Sequence, residues 1–190
     1  DIYETLSDER ASNILASHKH ARRLLDAMDV VTIALSRDQI VFEEVDYSSD
    51  MAKYCLKAYE EELSQRVSSD FTLEQSGVPD LSQMAPPHGT FVVARLEDLA
   101  VGCVGIKGSG GQIAEVKRMW IAPAARGLGL ARTMMIHAED AARALGIKTL
   151  RLDTNSALFE AVSLYQSMGW IEIDPFNDDP YPDTFFEKQL

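Results

Sequence analysis

Residues 126–132, Arg-Gly-Leu-Gly-Leu-Ala-Arg, are the stretch of this sequence whose types and spacing most plainly serve chemistry. An apolar run, Met119-Trp120-Ile121, breaks at Pro123 just before them, and an amphipathic stretch follows. A glycine-rich turn that opens a helix gathers backbone N–H groups and the positive end of the helix dipole, which suits a phosphate. Arg126, at its mouth, would add a charge-assisted hydrogen bond. The chemistry on offer is the holding of a phosphate-bearing molecule.

Three glycine-turn arrangements compete for these residues. A P-loop requires Lys-Ser or Lys-Thr after the last glycine, and neither follows Gly129. A dinucleotide-binding turn requires G-x-G-x-x-G directly after a strand, with an acid about 20 residues on. Gly127-Leu128-Gly129 supplies half of that pattern, and Asp153 stands at the end of the next strand. Against it, Arg132 fills the third glycine's place, and Pro-Ala-Ala-Arg separates strand from turn. It stays as a partial match. The third arrangement is Arg-x-x-Gly-x-Ala, from Arg126 through Gly129 to Ala131. Its small residues let the N–H groups of Leu128, Gly129, Leu130 and Ala131 close around a pyrophosphate.

The elements that must position this turn follow from periodicity. Residues 7–35 read as a helix, with Ser7 as N-cap and apolar or small residues at Ala11, Ile14, Leu15, Ala21, Leu24, Leu25, Met28 and Leu35. A strand is expected at 40–45. A capped amphipathic helix follows at 48–67, with Met51, Tyr54, Cys55, Ala58 and Leu63 on its apolar side. Residues 68–89 carry turn signals and a hint of short helix at 80–84, a loop long enough to be functional. Strands at 90–96, 99–106 and 113–123 lead to a helix over 128–145 that Gly146 stops. A strand at 148–154 precedes a helix at 155–169, capped by Asn155 or Ser156 and ended by Gly169. Two last strands, at 170–174 and 184–190, flank an acidic loop. On the strand that feeds the turn, alternation places Glu115, Lys117 and Met119 on one face and Val116, Arg118 and Trp120 on the other.

The order predicts an α/β fold with one mixed sheet and helices packed against it. We expect a helical segment or linker over 1–38 and one domain over 39–190. A net charge of −12 repels a nucleic-acid backbone, so no nucleic-acid partner is expected for this chain. The basic patch His-Lys-His-Ala-Arg-Arg at 18–23 reads as a solvated helix face. No apolar run approaches the ~18 residues of a membrane span, and the polar N-terminus is no signal peptide, which points to a cytoplasmic protein. The chain opens at Asp1 without an initiator Met, as a trimmed fragment would. Cys55 and Cys103 form no CxxC pair and are expected to be free and buried. The four histidines show no ligand spacing, so no metal is expected.

The match to Arg-x-x-Gly-x-Ala extends into its surroundings. Ala-Glu-Val-Lys-Arg-Met-Trp-Ile-Ala-Pro at 114–123, the unit at 144–155, Ala-Leu-Phe-Glu-Ala-Val-Ser-Leu-Tyr-Gln-Ser-Met-Gly-Trp at 157–170 and the tail at 176–188 occur in an order that resembles the GNAT superfamily of N-acetyltransferases. The resemblance covers roughly residues 40–190 and implies the GNAT fold, a mixed and mostly antiparallel central sheet flanked by helices, here with an extra N-terminal helix. It implies acetyl-CoA as cosubstrate and direct transfer of acetyl to a primary amine of a small molecule or amino-acid-like acceptor. Tyr165 takes the place of the tyrosine beside the CoA sulfur, as acid for the leaving thiolate. Its position on an apolar helix face with Leu158, Val162 and Met168 also fits a core residue. Glu115 is the candidate base, weighed against simple pairing with Lys117 or a neighbouring strand's cation.

In the same resemblance, backbone groups of Met119, Trp120 and Ile121 hold the pantetheine arm as an added strand and polarise the thioester carbonyl. Gly127, Leu128, Gly129, Leu130 and Ala131 hold the pyrophosphate, with Arg126 and Arg132 adding charge. Asn155 touches the cofactor or caps the helix. Asp174, Asp178, Asp179 and Asp183 crowd the acidic loop, and an anionic pocket there, with Tyr181, would favour a cationic amine. The helix at 7–35 has a loose likeness to the last helices of MarR-type winged-helix regulators. That likeness implies an upstream DNA-binding domain, a homodimer through the seam at 11–35, and an acyl-CoA- or amine-sensing module of a transcriptional regulator as the rival function.

Overall fold

The computed structural model describes residues 21–67, 72 and 81–190. The expected helix over 7–20 and most of the loop at 68–80 lie outside the described residues. From residue 21 the elements come in the expected order: helix α1 (Ala21–Leu35), strand β1 (Val41–Glu44), α2 (Asp50–Arg66), β2 (Thr90–Leu96), β3 (Leu99–Gly108), β4 (Ile113–Ile121), α3 (Leu130–Ala144), β5 (Thr149–Thr154), α4 (Phe159–Ser167), β6 (Ile171–Glu172) and β7 (Thr184–Gln189). A short 3-10 turn, Leu81–Met84, occupies the place of the helical hint.

One seven-stranded sheet runs in the order β1-β2-β3-β4-β5-β7-β6. Every neighbouring pair is antiparallel except β4 and β5, which are parallel and joined through α3. A parallel pair needs such a crossover, whereas the β2–β3 and β3–β4 hairpins close with short turns. Alternation along β2 shows the two layers. Val92 and Ala94 join the core that includes Ile33 of α1, Met134, Met135 and Ala138 of α3, and Tyr165 of α4. Phe91 and Val93 face the other way, into a core with Ala52, Cys55 and Leu56 of α2.

Local chemistry sets the element ends. Ser49 caps α2, its hydroxyl accepting from the Ala52 N–H. Gly146 and Gly169, both with positive φ, end α3 and α4. The buried face of α2 is Ala52, Cys55, Leu56 and Leu63, and Tyr54 is exposed, contrary to the apolar side expected from the sequence. Small side chains there let the helix lie close on the sheet, and Tyr54 only edges against Trp120 at 6.4 Å. No helix among the described residues is long and apolar enough to cross a membrane.

Candidate active site

The site begins where β4 leaves β5. The two parallel strands stay in register only from Ile113↔Thr149 to Glu115↔Arg151. Arg118 then takes φ +59, and the register with β3 slips between Cys103 and Gly105. Two residues, Arg118 and Met119, oppose the single Val104, which is a β-bulge. The thiol of Cys103 donates to the carbonyl of Arg118 at 3.2 Å and so fills the bulge from beneath. Cys103 and Cys55 are both free and buried.

The bulge inverts the side-chain alternation. Ala114 and Val116 face the α3 side; beyond Arg118 it is Met119 and Ile121 that do so, while Trp120 turns toward α2. The expected grouping of Met119 with Glu115 and Lys117, and of Trp120 with Val116, therefore fails past Lys117. One extra residue shifts a period of two by one step.

Parting the strands leaves an open cleft between them. Lys117, Arg118 and Met119 of β4 line it, with Asp153 of β5, Asn155 just beyond that strand and Tyr165 of α4. Tyr59 of α2 and Asp179 and Tyr181 of the β6–β7 loop close the far wall. Tyr165 is 6 % exposed, its ring near Trp170 (6.0 Å) and Phe186 (5.9 Å). Burial, with Tyr59 and Asp153 adding to it, pushes its phenol well above the ordinary value. A phenol so placed keeps its proton throughout the neutral range and is a hydrogen-bond donor for a thiolate that forms beside it. Tyr59 is pushed up to about 12 by burial, which Arg118 partly offsets through a hydrogen bond and by lying 5.8 Å over the ring.

Glu115 and Tyr165 do not meet. Glu115 lines a separate recess with Lys107, Arg151 and Phe176, and its carboxylate lies 3.5 Å from the Lys107 ammonium and 3.2 Å from that of Lys117. Lys117 also reaches Asp153 at 2.6 Å, and Asn177 donates to the same Asp153 oxygen at 2.6 Å. Asp153 is thus a carboxylate of the cleft itself. In the sequence it stood out only as part of the partial dinucleotide pattern.

The turn beyond the cleft has the shape its glycines require. Gly127 and Gly129 sit at φ +75 and +79, and Gly129 is the N-cap of α3 without any side-chain cap. Leu130 and Ala131 open the helix, so their N–H groups are among those a helix start leaves for a ligand. Leu128 packs partly buried against the core. Arg126 folds back: its guanidinium donates to the Ile121 carbonyl at 3.0 and 2.9 Å and pairs with Glu62. Glu62 also accepts from the Trp120 indole at 3.2 Å and pairs with Arg66, which extends to Glu160 of α4. The Arg66 guanidinium holds the Glu160 carboxyl below the usual range. Arg132 donates to the Ser167 hydroxyl at 2.7 Å, tying α3 to α4.

Two expectations about the tail need correction. Neither Asn155 nor Ser156 caps α4, whose N-cap is Leu158 without a side-chain bond. Both are used by the β6–β7 loop instead. Asn155 donates to the Tyr181 carbonyl at 2.6 Å, and Ser156 donates twice to Asp183, which lowers the Asp183 carboxyl. Asp174 and Asp178 are exposed and line no part of the cleft, which takes Asp179 and Tyr181 from this loop. The cleft wall is also not anionic, because Lys117 and Arg118 stand against Asp153 and Asp179. Among the described residues no group of three or more His, Cys, Asp or Glu side chains could hold a metal.

A parted parallel pair, a bulge on its first strand and a glycine turn at the head of the crossover helix define an acyltransferase of the GNAT class. Residues 51–170 match the Acetyltransferase (GNAT) family, and the chain belongs to that family. It is 37% identical over 136 residues to the IAA acetyltransferase of Azospirillum brasilense, spanning 68% of this chain and 87% of that protein. Its fold resembles a GNAT-family acetyltransferase from Staphylococcus aureus, with a TM-score of 0.67 and 18% identity over 80% of this chain and 99% of that one. It also resembles a GNAT-family acetyltransferase from Elizabethkingia anophelis solved with acetyl-CoA bound, at a TM-score of 0.58 and 16% identity over the same shares of each chain. The family's general chemistry is acetyl transfer from acetyl-CoA.

Proposed function

We propose that this protein transfers acetyl from acetyl-CoA to a primary amine of a small or amino-acid-like acceptor by direct attack. One observation carries the proposal: β4 parts from β5 just where Tyr165 is buried across the gap, on the strand that runs into the glycine turn. The pantetheine arm takes the place of the missing strand pairing along Met119, whose backbone groups can pair as a strand would, because those of Trp120 face Cys103 of β3. The Ile121 carbonyl serves Arg126 instead. N–H groups of Gly127, Leu128, Gly129, Leu130 and Ala131 receive the pyrophosphate, with Arg126 and Arg132 nearby.

In the transfer the neutral amine attacks the thioester carbon, a C–N bond forms and the C–S bond breaks. The departing thiolate takes the proton of Tyr165, a carboxylate takes the proton released by nitrogen, and that proton returns through solvent to the phenolate so that the enzyme ends as it began. We assign that uptake to the two carboxylates joined by Lys117: Asp153 inside the cleft, and Glu115 behind it. Asp179 and Tyr181 line the acceptor side. A panel of amines with detection of released thiol tests the proposal. Acetyl-CoA-dependent thiol release with at least one amine supports it, and binding without turnover across the panel would leave a sensing module in its place. The exposed apolar residues Leu24, Met28 and Leu35 of α1 support the expected homodimer, which sedimentation at two concentrations tests.

A further inference from the structure

A cation beside the phosphate turn comes from outside the stretch that matches the family. Arg37 begins the 3-10 turn Arg37–Gln39 that follows α1. A Cβ built on Gly129 would stand 3.5 Å from its Nη2. The backbone that carries it is anchored. Ile33, one helical turn earlier, is 2 % exposed in the main core, and α1 packs against the turn Pro123–Ala125. The Ile40 N–H closes the segment on the Arg37 carbonyl at 3.1 Å.

The other arginines around the turn are occupied. Arg126 serves the Ile121 carbonyl and Glu62, and Arg132 serves Ser167. Among the described residues no hydrogen bond or ion pair engages the Arg37 side chain. A chain of net charge −12 must meet the phosphates of CoA with local cations, because its overall field repels them.

We infer that Arg37 is a phosphate-binding residue of the acyl-CoA site, supplied by the N-terminal segment. This assignment rests on the acyl-CoA reading of the turn. Arg37 makes the site prefer a donor with the nucleotide phosphates of CoA over the same acyl group on pantetheine alone.

Calorimetric titration of the wild-type chain, Arg37→Gln, Arg37→Lys and Arg126→Gln with acetyl-CoA and with S-acetyl-pantetheine tests it. Arg37→Gln should weaken acetyl-CoA roughly five- to tenfold at low salt and less at high salt. Arg37→Lys should keep most of the affinity, since the charge remains. Arg126→Gln should weaken acetyl-CoA less than Arg37→Gln does. Acetyl-pantetheine, which lacks phosphate, should respond to none of them. Unchanged acetyl-CoA affinity in Arg37→Gln, or an equal loss with both donors, would overturn the assignment. If the wild-type chain takes up neither donor, the acyl-CoA reading of the turn itself fails, and Arg37 with it.

Discussion

The two halves of β4 have the same backbone direction and opposite fates. Ile113–Glu115 is held on both sides, by β3 and by β5, and its outward carboxylate is fixed between Lys107 and Lys117. Lys117–Ile121 keeps β3 and gives up β5, and the space beside it becomes the cleft. The bulge at Arg118 and Met119 lies within the open half. An open stretch of strand edge inside a sheet leaves backbone groups without a strand partner, and in the proposed function a ligand's extended arm supplies it.

The largest expected effect is on the open side. Tyr165→Phe should lower kcat about 100-fold and leave acetyl-CoA affinity within about twofold, since the ring still packs on Trp170 and Phe186. Steady-state kinetics beside a titration would show it; an unchanged kcat removes Tyr165 from the chemistry. Next come the two carboxylates on either side of Lys117. Asp153→Asn should cost more than tenfold in kcat, and Glu115→Gln less than tenfold, because Glu115 faces a separate recess. The reverse order would move the base to the closed half and break the contrast drawn here.

Much of this contrast was legible in the sequence, and its hinge was not. Alternation and glycine stops reveal the strands and helices in order, because each element's period is local. The bulge is not local. A positive φ usually asks for glycine or asparagine, and Arg118 offers no such signal. What holds it is the approach of Cys103 from the neighbouring strand. Asp153, noticed only within the partial dinucleotide pattern, and Glu62 and Arg37 lack a local signal for the same reason. Each matters through a partner far along the chain: Lys117, Arg126 and Gly129 respectively. The turn at 126–131 was readable because glycine spacing there specifies backbone shape directly.

Smaller effects test the supports of the open half. Cys103→Ala leaves the Arg118 carbonyl without its thiol donor and should cost about 1–2 kcal/mol in urea unfolding. A loss of the same size in acetyl-CoA affinity would tie the bulge to the site. The smallest effect is alkaline. Tyr59 and Tyr165 both have raised folded values against an ordinary phenol near 10.0, Tyr59 at about 12. The unfolded chain then releases these protons first. The stability they contribute is fully present below about pH 10 and is lost as pH rises toward the folded values. Urea midpoints should be level up to about pH 9 and fall above about pH 10, with a shallower fall in Tyr59→Phe.

The most direct measurement is hydrogen exchange along β4 with and without saturating acetyl-CoA, with NADH as the control ligand. Acetyl-CoA should slow exchange at Met119 and in the turn at 127–131, leave Ile113–Glu115 unchanged, and NADH should do neither. Equal protection of both halves, or protection by NADH in place of acetyl-CoA, would contradict the assignment of the open half of β4 to the acyl-CoA arm.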